Sequence, residues 1–334
     1  MFSGIQPTGD LHLGNYLGAI RNWVTLQERH DCFFCIVDLH ALTLPWDPPG
    51  LASATLKTGA MLAACGIDPR RSVLFVQSDV AAHSELAWIL TCLARMGELR
   101  RMVQFKEKSK GETESVGAGL FTYPVLQAAD VLLYKAHGVP VGEDQRQHIE
   151  LMRDLALRFN QLLGDVLVLP EALIPPVGAR VMALDDPTQK MSKSAARPAS
   201  SIQLTDPPEA VRKKIKSAVT DSGTEVRAAP DKPALTNLLG IFSLVTGTPV
   251  ADLETRFGSS GYGDFKSALA DAVVDALAPI SERYQALVDD PAELERMLAR
   301  GAERASEVAG ETMEEVAAAV GLQREKPGRI PRRG

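Results

Sequence analysis

Three observations in the 334-residue sequence predict an α/β fold, a parallel sheet followed by an all-helical C-terminal region. Residues 1–200 alternate short apolar runs with longer stretches of helical spacing. One run, Cys32-Phe33-Phe34-Cys35-Ile36-Val37, is continuously apolar, as expected of a strand buried on both faces. After Arg197 the strand signals vanish. Strands alternating with helices call for a parallel sheet covered on both faces.

The elements follow in order. Phe2–Ile5 reads as a short strand. Residues 15–30 place Tyr16, Ile20, Trp23 and Gln27 near one face, with Leu17 and Val24 beside them, which predicts a helix. Cys32–Val37 is the second strand, residues 51–65 a helix, and Ser72–Val76 a third strand. Residues 84–96 and 143–163 read as amphipathic helices, the latter with Leu151, Leu155, Phe159 and Leu162 on one stripe. Pro198-Ala-Ser-Ser and Asp206-Pro207-Pro208 read as a linker. Helices are predicted over 209–219, 234–246, 264–287 and 291–320. The expected division is therefore an α/β domain over 1–200, interrupted at about 78–130, and a helical domain over 201–323. Residues 324–334 form a basic tail without periodicity, expected to be disordered.

Composition bounds the function. Hydrophobic residues make up 45% and charged residues 23%, ordinary for a soluble globular chain. The net charge of −6 by itself argues against a dedicated nucleic-acid binder. The charge is uneven, however: −2 over 1–200, −8 over 201–323 and +4 over the tail. A nucleic-acid partner is therefore compatible with a small, localised, salt-sensitive footprint. No apolar run approaches the ~18 residues of a membrane span, the N-terminus lacks the pattern of a signal peptide, and four cysteines make no disulfide framework. A cytoplasmic location without membrane association is expected. Cys32-x-x-Cys35 near His40 is read as core packing, because no second Cys/His pair follows at zinc-site spacing. No metal ligands are assigned. His30, His83 and His137 have no evident partners, and His148 reads as structural.

Two segments carry chemistry. Ser3-Gly-Ile-Gln-Pro-Thr-Gly-Asp-Leu-His-Leu-Gly-Asn15 runs from a strand through a glycine turn into a helix start, where backbone N–H groups attract phosphate. Gly14 allows close approach to the backbone, and His12 and Asn15 can donate to phosphate oxygens. It is not a P-loop. The second segment, Lys190-Met191-Ser192-Lys193-Ser194, sets two lysines three apart as point charges for anionic oxygens.

His12-Leu-Gly-Asn15 resembles the first signature, HIGH, of class I aminoacyl-tRNA synthetases, and Lys190–Ser194 matches the second, KMSKS. Ser3–Gly9, Cys35–Ala41, Gln104–Ser109 and Pro140–Gln145 resemble the bacterial tryptophanyl subgroup, and the likeness extends from residue 2 to about 322. The resemblance implies a Rossmann-type nucleotide-binding domain, with the helical domain binding the tRNA anticodon. It implies activation of L-tryptophan by Mg2+-bound ATP and transfer to tRNA(Trp), with release of pyrophosphate and AMP. Lys190, Lys193 and Lys108, the last on a mobile loop over 106–119, would be catalytic. Gln6, His12, Gly14, Asn15, Asp144, Met191, Ser192 and Ser194 would bind ATP. Phe2, Gly4, Gln6, Tyr123, Gln127, Asp130, Val139, Val141 and Gln145 would bind tryptophan, with Asp130 accepting the indole N–H and Tyr123 and Gln145 contacting the ammonium end.

The sequence departs from the family pattern at two places. Asn15 replaces the final His of HIGH, a change common in the tryptophanyl subgroup. Gln127 stands where many relatives carry Met, and Tyr123-x-x-x-Gln127-x-x-Asp130 resembles the way tyrosyl enzymes hold a phenol. The competing readings are a tyrosyl enzyme, a non-catalytic paralogue with a binding or regulatory role, and a related nucleotidyltransferase. Arg212-Lys-Lys-Ile-Lys216 offers a weak tRNA contact, a charge run being more often a solvated helix face. Leu86, Trp88, Ile89, Leu90, Leu93 and Met96 are more apolar than one helix face needs, which with the family's habit predicts a homodimer.

Overall fold

Strands β1 (Phe2–Ile5), β2 (Phe33–Ile36) and β3 (Val73–Val76) pair in parallel in that order, with Gly4 opposite Cys35 and Cys35 opposite Phe75. This is a computed structural model describing residues 1–103, 117–174, 180–192 and 197–322. A second parallel pair, β4 (Gly138–Pro140) and β5 (Glu171–Leu173), lies beside β1. The sequence reading found the first three strands and not these two, whose three residues each are too few for a periodic signal.

Strand alternation separates two apolar layers. Phe34, Ile36 and Leu74 point into one, Cys35, Val73 and Phe75 into the other. The first layer is closed by helix α1, by α3 (Pro48–Ala64) and by the helical region. Helix α1 comprises Leu13–Asn15, a π-helical turn Tyr16–Ile20 and Arg21–Leu26, and α2 is the short helix Asp38–Ala41. The second layer is closed by α4 (Ala82–Leu93), α5 (Met96–Arg100), α6 (Ala118–Leu132) and α7 (Arg146–Leu163). Leu151, Leu155 and Phe159 of α7 are buried as expected, whereas Leu162 is exposed and leaves the predicted stripe. Helix α6 was not assigned from the sequence; it tolerates an internal proline, Pro124.

The C-terminal region contains α8 (Pro208–Ser217), α9 (Pro233–Thr246), α10 (Val250–Phe257), α11 (Gly261–Asp289) and α12 (Pro291–Ala319). Of these, α10 was not foreseen. Helix α12 runs along β3 and serves both layers: Leu294, Met297 and Leu298 pack into the first, Ala302, Ala305, Ala309, Met313 and Val316 into the second. At the crossing point stands Gly301, where a Cβ would collide with the Leu74 carbonyl. Glycine and the alanines after it let the helix lie directly on the strand, covering an edge that would otherwise be open. Among the described residues no single helix is long and apolar enough to cross a membrane.

Candidate active site

The first signature is built by a capping box. His12 is the N-cap of α1; its Nδ1 accepts from the Asn15 backbone N–H at 3.2 Å, and Asn15 Oδ1 accepts from the His12 N–H at 3.1 Å. The box sets the orientation of both side chains: accepting at Nδ1 places the His12 proton on Nε2, and Asn15 keeps its amide nitrogen as the donating end. Gly14 follows from the packing. A Cβ there would lie 3.0 Å from His12 Nδ1 and 3.4 Å from Met191 Cβ.

That second contact joins the two signatures. Met191 is buried, and its N–H bonds the Val181 carbonyl at 3.1 Å in a hairpin in which Met182 stands opposite Lys190. The first signature is pinned to the segment following the hairpin, through Leu13 N–H to Ile202 O and Leu204 N–H to Leu11 O, each at 2.8 Å. Lys190 is exposed and Ser192 half-buried beside this junction. Lys193, Ser194 and Lys108 lie outside the described residues, as does the tail.

All nine residues expected to bind the amino acid, Phe2, Gly4, Gln6, Tyr123, Gln127, Asp130, Val139, Val141 and Gln145, line one cavity of about 340 Å³. That is a size suited to a small molecule. The cavity opens where β1, β4 and α6 meet. On α6, residues 123, 127 and 130 share a face by helical spacing. Sequence reasoning missed His40, Trp23 and Val37 among the lining residues.

Asp130 is the centre of a buried network. Its Oδ1 accepts from Gln77 Nε2 at 2.6 Å and His83 Nδ1 at 2.7 Å, and its Oδ2 accepts from His40 Nε2 at 2.8 Å. His83 Nε2 lies 2.8 Å from the Tyr134 hydroxyl. His83, expected to lack a partner, is thus a ligand of the central carboxylate on one side and a neighbour of a phenol on the other. No sequence pattern joins residues 40, 77, 83 and 130; only the fold does. Burial acts to raise the Asp130 carboxyl, but the charges and hydrogen bonds of His40 and His83 outweigh it and hold the group well below the usual carboxylate range. Each carboxylate oxygen has two lone pairs. Among the described residues Oδ1 accepts two hydrogen bonds and Oδ2 one, so a lone pair remains on Oδ2 beside the cavity that Asp130 lines.

One turn from Asp130 the cavity lining carries amides. Gln127 Nε2 donates to Gln145 Oε1 at 3.4 Å, and Gln145 Nε2 donates to Asp144 Oδ2 at 2.9 Å. Gln127, Gln145 and Asp144 therefore form a chain from the amino-acid cavity toward the predicted ATP residue Asp144. The Tyr123 hydroxyl lies 2.9 Å from His148 Nε2, and burial pushes its phenol up to about 12. His148 is buried against the site.

Elsewhere the lesser signals resolve. Cys32, Cys35 and Cys65 are buried free thiols. In the basic run, Arg212 pairs with Asp271 at 3.0 Å and Lys214 with Asp206 at 2.6 Å, leaving Lys213 and Lys216 exposed.

Residues 1–278 match the family described as tRNA synthetases class I (W and Y). A protein named Tryptophan--tRNA ligase from Caldanaerobacter subterraneus is 53% identical over 323 residues, covering 96% of this chain and 98% of that one. One of the same name from Listeria monocytogenes is 52% identical over 327 residues, covering 98% of each. A crystal structure of tryptophanyl-tRNA synthetase from Campylobacter jejuni complexed with ADP and tryptophan superimposes with a TM-score of 0.84 at 38% identity, covering 96% of this chain and 99% of that one. With signatures, cavity and fold in agreement, the chain belongs to the class I tRNA synthetases of the W and Y family.

Proposed function

We propose that this chain is a tryptophan--tRNA ligase: it activates L-tryptophan with ATP to tryptophanyl-adenylate and transfers the tryptophanyl group to tRNA(Trp). The observation that carries the reading is Asp130, an ionised buried carboxylate with, among the described residues, a lone pair remaining on Oδ2, lining a cavity that Phe2, Val139 and Val141 also line. An indole offers one N–H donor and a flat apolar body. Full-length relatives at about half identity bear the tryptophan name, so tyrosine is not favoured despite Gln127.

In the first step a tryptophan carboxylate oxygen attacks the α-phosphorus of ATP, the bond to the bridging oxygen breaks, and pyrophosphate departs. The protein forms no covalent bond; it aligns the reactants and neutralises developing charge. Lys190, with Lys193 and Lys108 by resemblance, stabilises the leaving pyrophosphate. Gln6, His12, Gly14, Asn15, Asp144, Met191, Ser192 and Ser194 bind the nucleotide. Mg2+ accompanies ATP and takes phosphate oxygens and water as its ligands. In the second step the terminal 2′-hydroxyl of tRNA attacks the acyl carbon and AMP leaves. The helical domain, 201–323, holds the anticodon, with Lys213 and Lys216 available to the backbone. Leu86 and Leu90 pack into the core instead of the surface; exposed Trp88 on α4 and Met96 at the start of α5, 70% and 57% accessible, support a homodimer through this face, and the cytoplasm is the place of work.

The test is ATP–pyrophosphate exchange with the purified protein. Tryptophan is expected to support exchange; support by tyrosine and not tryptophan overturns the reading. A dimeric mass by light scattering at micromolar concentration checks the assembly.

A further inference from the structure

We propose that Asn237, on α9 of the helical region, is a positioning residue for the signature hairpin that carries Lys190, an inference that rests on the activity proposed above. In the hairpin, Ala183 N–H bonds Gln189 O at 2.8 Å and Met191 N–H bonds Val181 O at 3.1 Å. Met182 stands opposite Lys190 between these bonds. In such an antiparallel pair the N–H and C=O of the middle residue point away from the partner strand. They need another partner, and Asn237 is that partner for both. Met182 N–H donates to Asn237 Oδ1 at 2.9 Å, and Asn237 Nδ2 donates to Met182 O at 3.1 Å.

The side chain thus acts as one peptide unit of a third strand. Only a carboxamide offers a donor and an acceptor in this arrangement; aspartate supplies the acceptor alone, and aliphatic residues neither. The position matters as much as the chemistry. The turn end of the hairpin is tied by Leu184 to Ser200 and Val219, at 2.9 and 2.8 Å. The Asn237 pair acts at the open end, at the level of Lys190. Hairpin residues Val181, Met182 and Pro187 and helix residues Thr236, Asn237 and Gly240 line a shared cavity of about 730 Å³, so packing leaves space here that the two hydrogen bonds span. The helix that bears Asn237 belongs to the region proposed to hold the anticodon. Lys190 and that region are therefore coupled by a backbone-like bond pair, and they move as one unit.

The variants N237A and N237D test this. N237D is nearly isosteric and sets a carboxylate oxygen against the Met182 carbonyl, so it keeps the argument decidable should N237A fold poorly. In exchange assays each variant is expected to lower kcat about tenfold, with the tryptophan KM within about twofold of wild type, since that cavity is built elsewhere. In a K190A background the same substitution is expected to cost under about twofold, because both act through one group. Amide hydrogen exchange of the peptide spanning 180–190 is expected to rise in N237A while that of 118–132 stays unchanged. An unchanged kcat, an equal penalty in the K190A background, or unaltered exchange of the hairpin peptide overturns the proposal. Absence of tryptophan-dependent exchange in the wild type overturns the functional reading instead, and the hydrogen-exchange result still decides the tether.

Discussion

Replacing Asp130 by asparagine tests the site with one atom. The network constrains how asparagine can sit. Placing its NH2 at the Oδ1 position sets it against two donors, Gln77 Nε2 and His83 Nδ1; placing it at Oδ2 sets it against one, His40 Nε2. The second orientation loses less, since His40 can change tautomer and accept. It also turns an N–H donor toward the cavity, where the indole N–H must find an acceptor. The loss is one hydrogen bond to a charged group, about 1.5–3 kcal/mol, or about 10–100-fold in tryptophan affinity. The fold pays about 1–3 kcal/mol for the disturbed network. Steady-state exchange should show the tryptophan KM raised within that range. 1-Methyltryptophan, which has no ring N–H, should be rejected by wild type, and its disadvantage should shrink at least about tenfold in D130N. A tryptophan KM within about twofold of wild type, with unchanged discrimination against the methylated analogue, refutes the argument.

Further outcomes follow from the same geometry. Because the Asp130 carboxyl is depressed by His40 and His83 against its burial, its stabilisation is present above the ~3.9 of an unfolded aspartate and is lost as pH falls through the folded value; the Tm gap between wild type and D130N should narrow as pH falls below about 4. Gly14→Ala puts a Cβ 3.0 Å from the His12 ring and 3.4 Å from Met191, and should lower kcat/KM for ATP about tenfold while leaving the tryptophan KM near wild type in exchange kinetics. Gln127→Met removes a carboxamide that indole must desolvate and should lower the tryptophan KM a few-fold; calorimetric titration giving weaker binding would show that the bond to Gln145 matters more. Gly301→Ala forces α12 off the Leu74 carbonyl and should destabilise by about 1–3 kcal/mol or more in denaturant unfolding.

Much of the catalytic half was legible because its signals are local. The apolar runs at β1, β2 and β3 are short, continuous and bounded by breakers, and the two signatures are contiguous pentads and tetrads. The nine cavity residues came from segment likeness, which carries position along with identity. What stayed hidden was assembled across the chain. Gln77, His83 and His40 reach Asp130 from elements 47 to 90 residues away, and a lone histidine in sequence says nothing of such partners. Helix α6 was obscured by Pro124 and by an apolar content too continuous to show a period. The capping box is visible as residue types, His12 and Asn15, but their mutual hydrogen bonds are not. Three-residue strands β4 and β5 gain their order from neighbours rather than propensity.

The placement of α12 sets a schedule for the nascent chain. Synthesis delivers β3 more than 200 residues before the helix that lies along it. Until residues 294–316 emerge, the strand's flank and part of both apolar layers have no cover. The α/β half is therefore made early and finished late, and its contacts of greatest sequence separation close last. A ribosome stalled shortly before Gly301 holds a sheet with an unsheltered border, the kind of surface chaperones recognise.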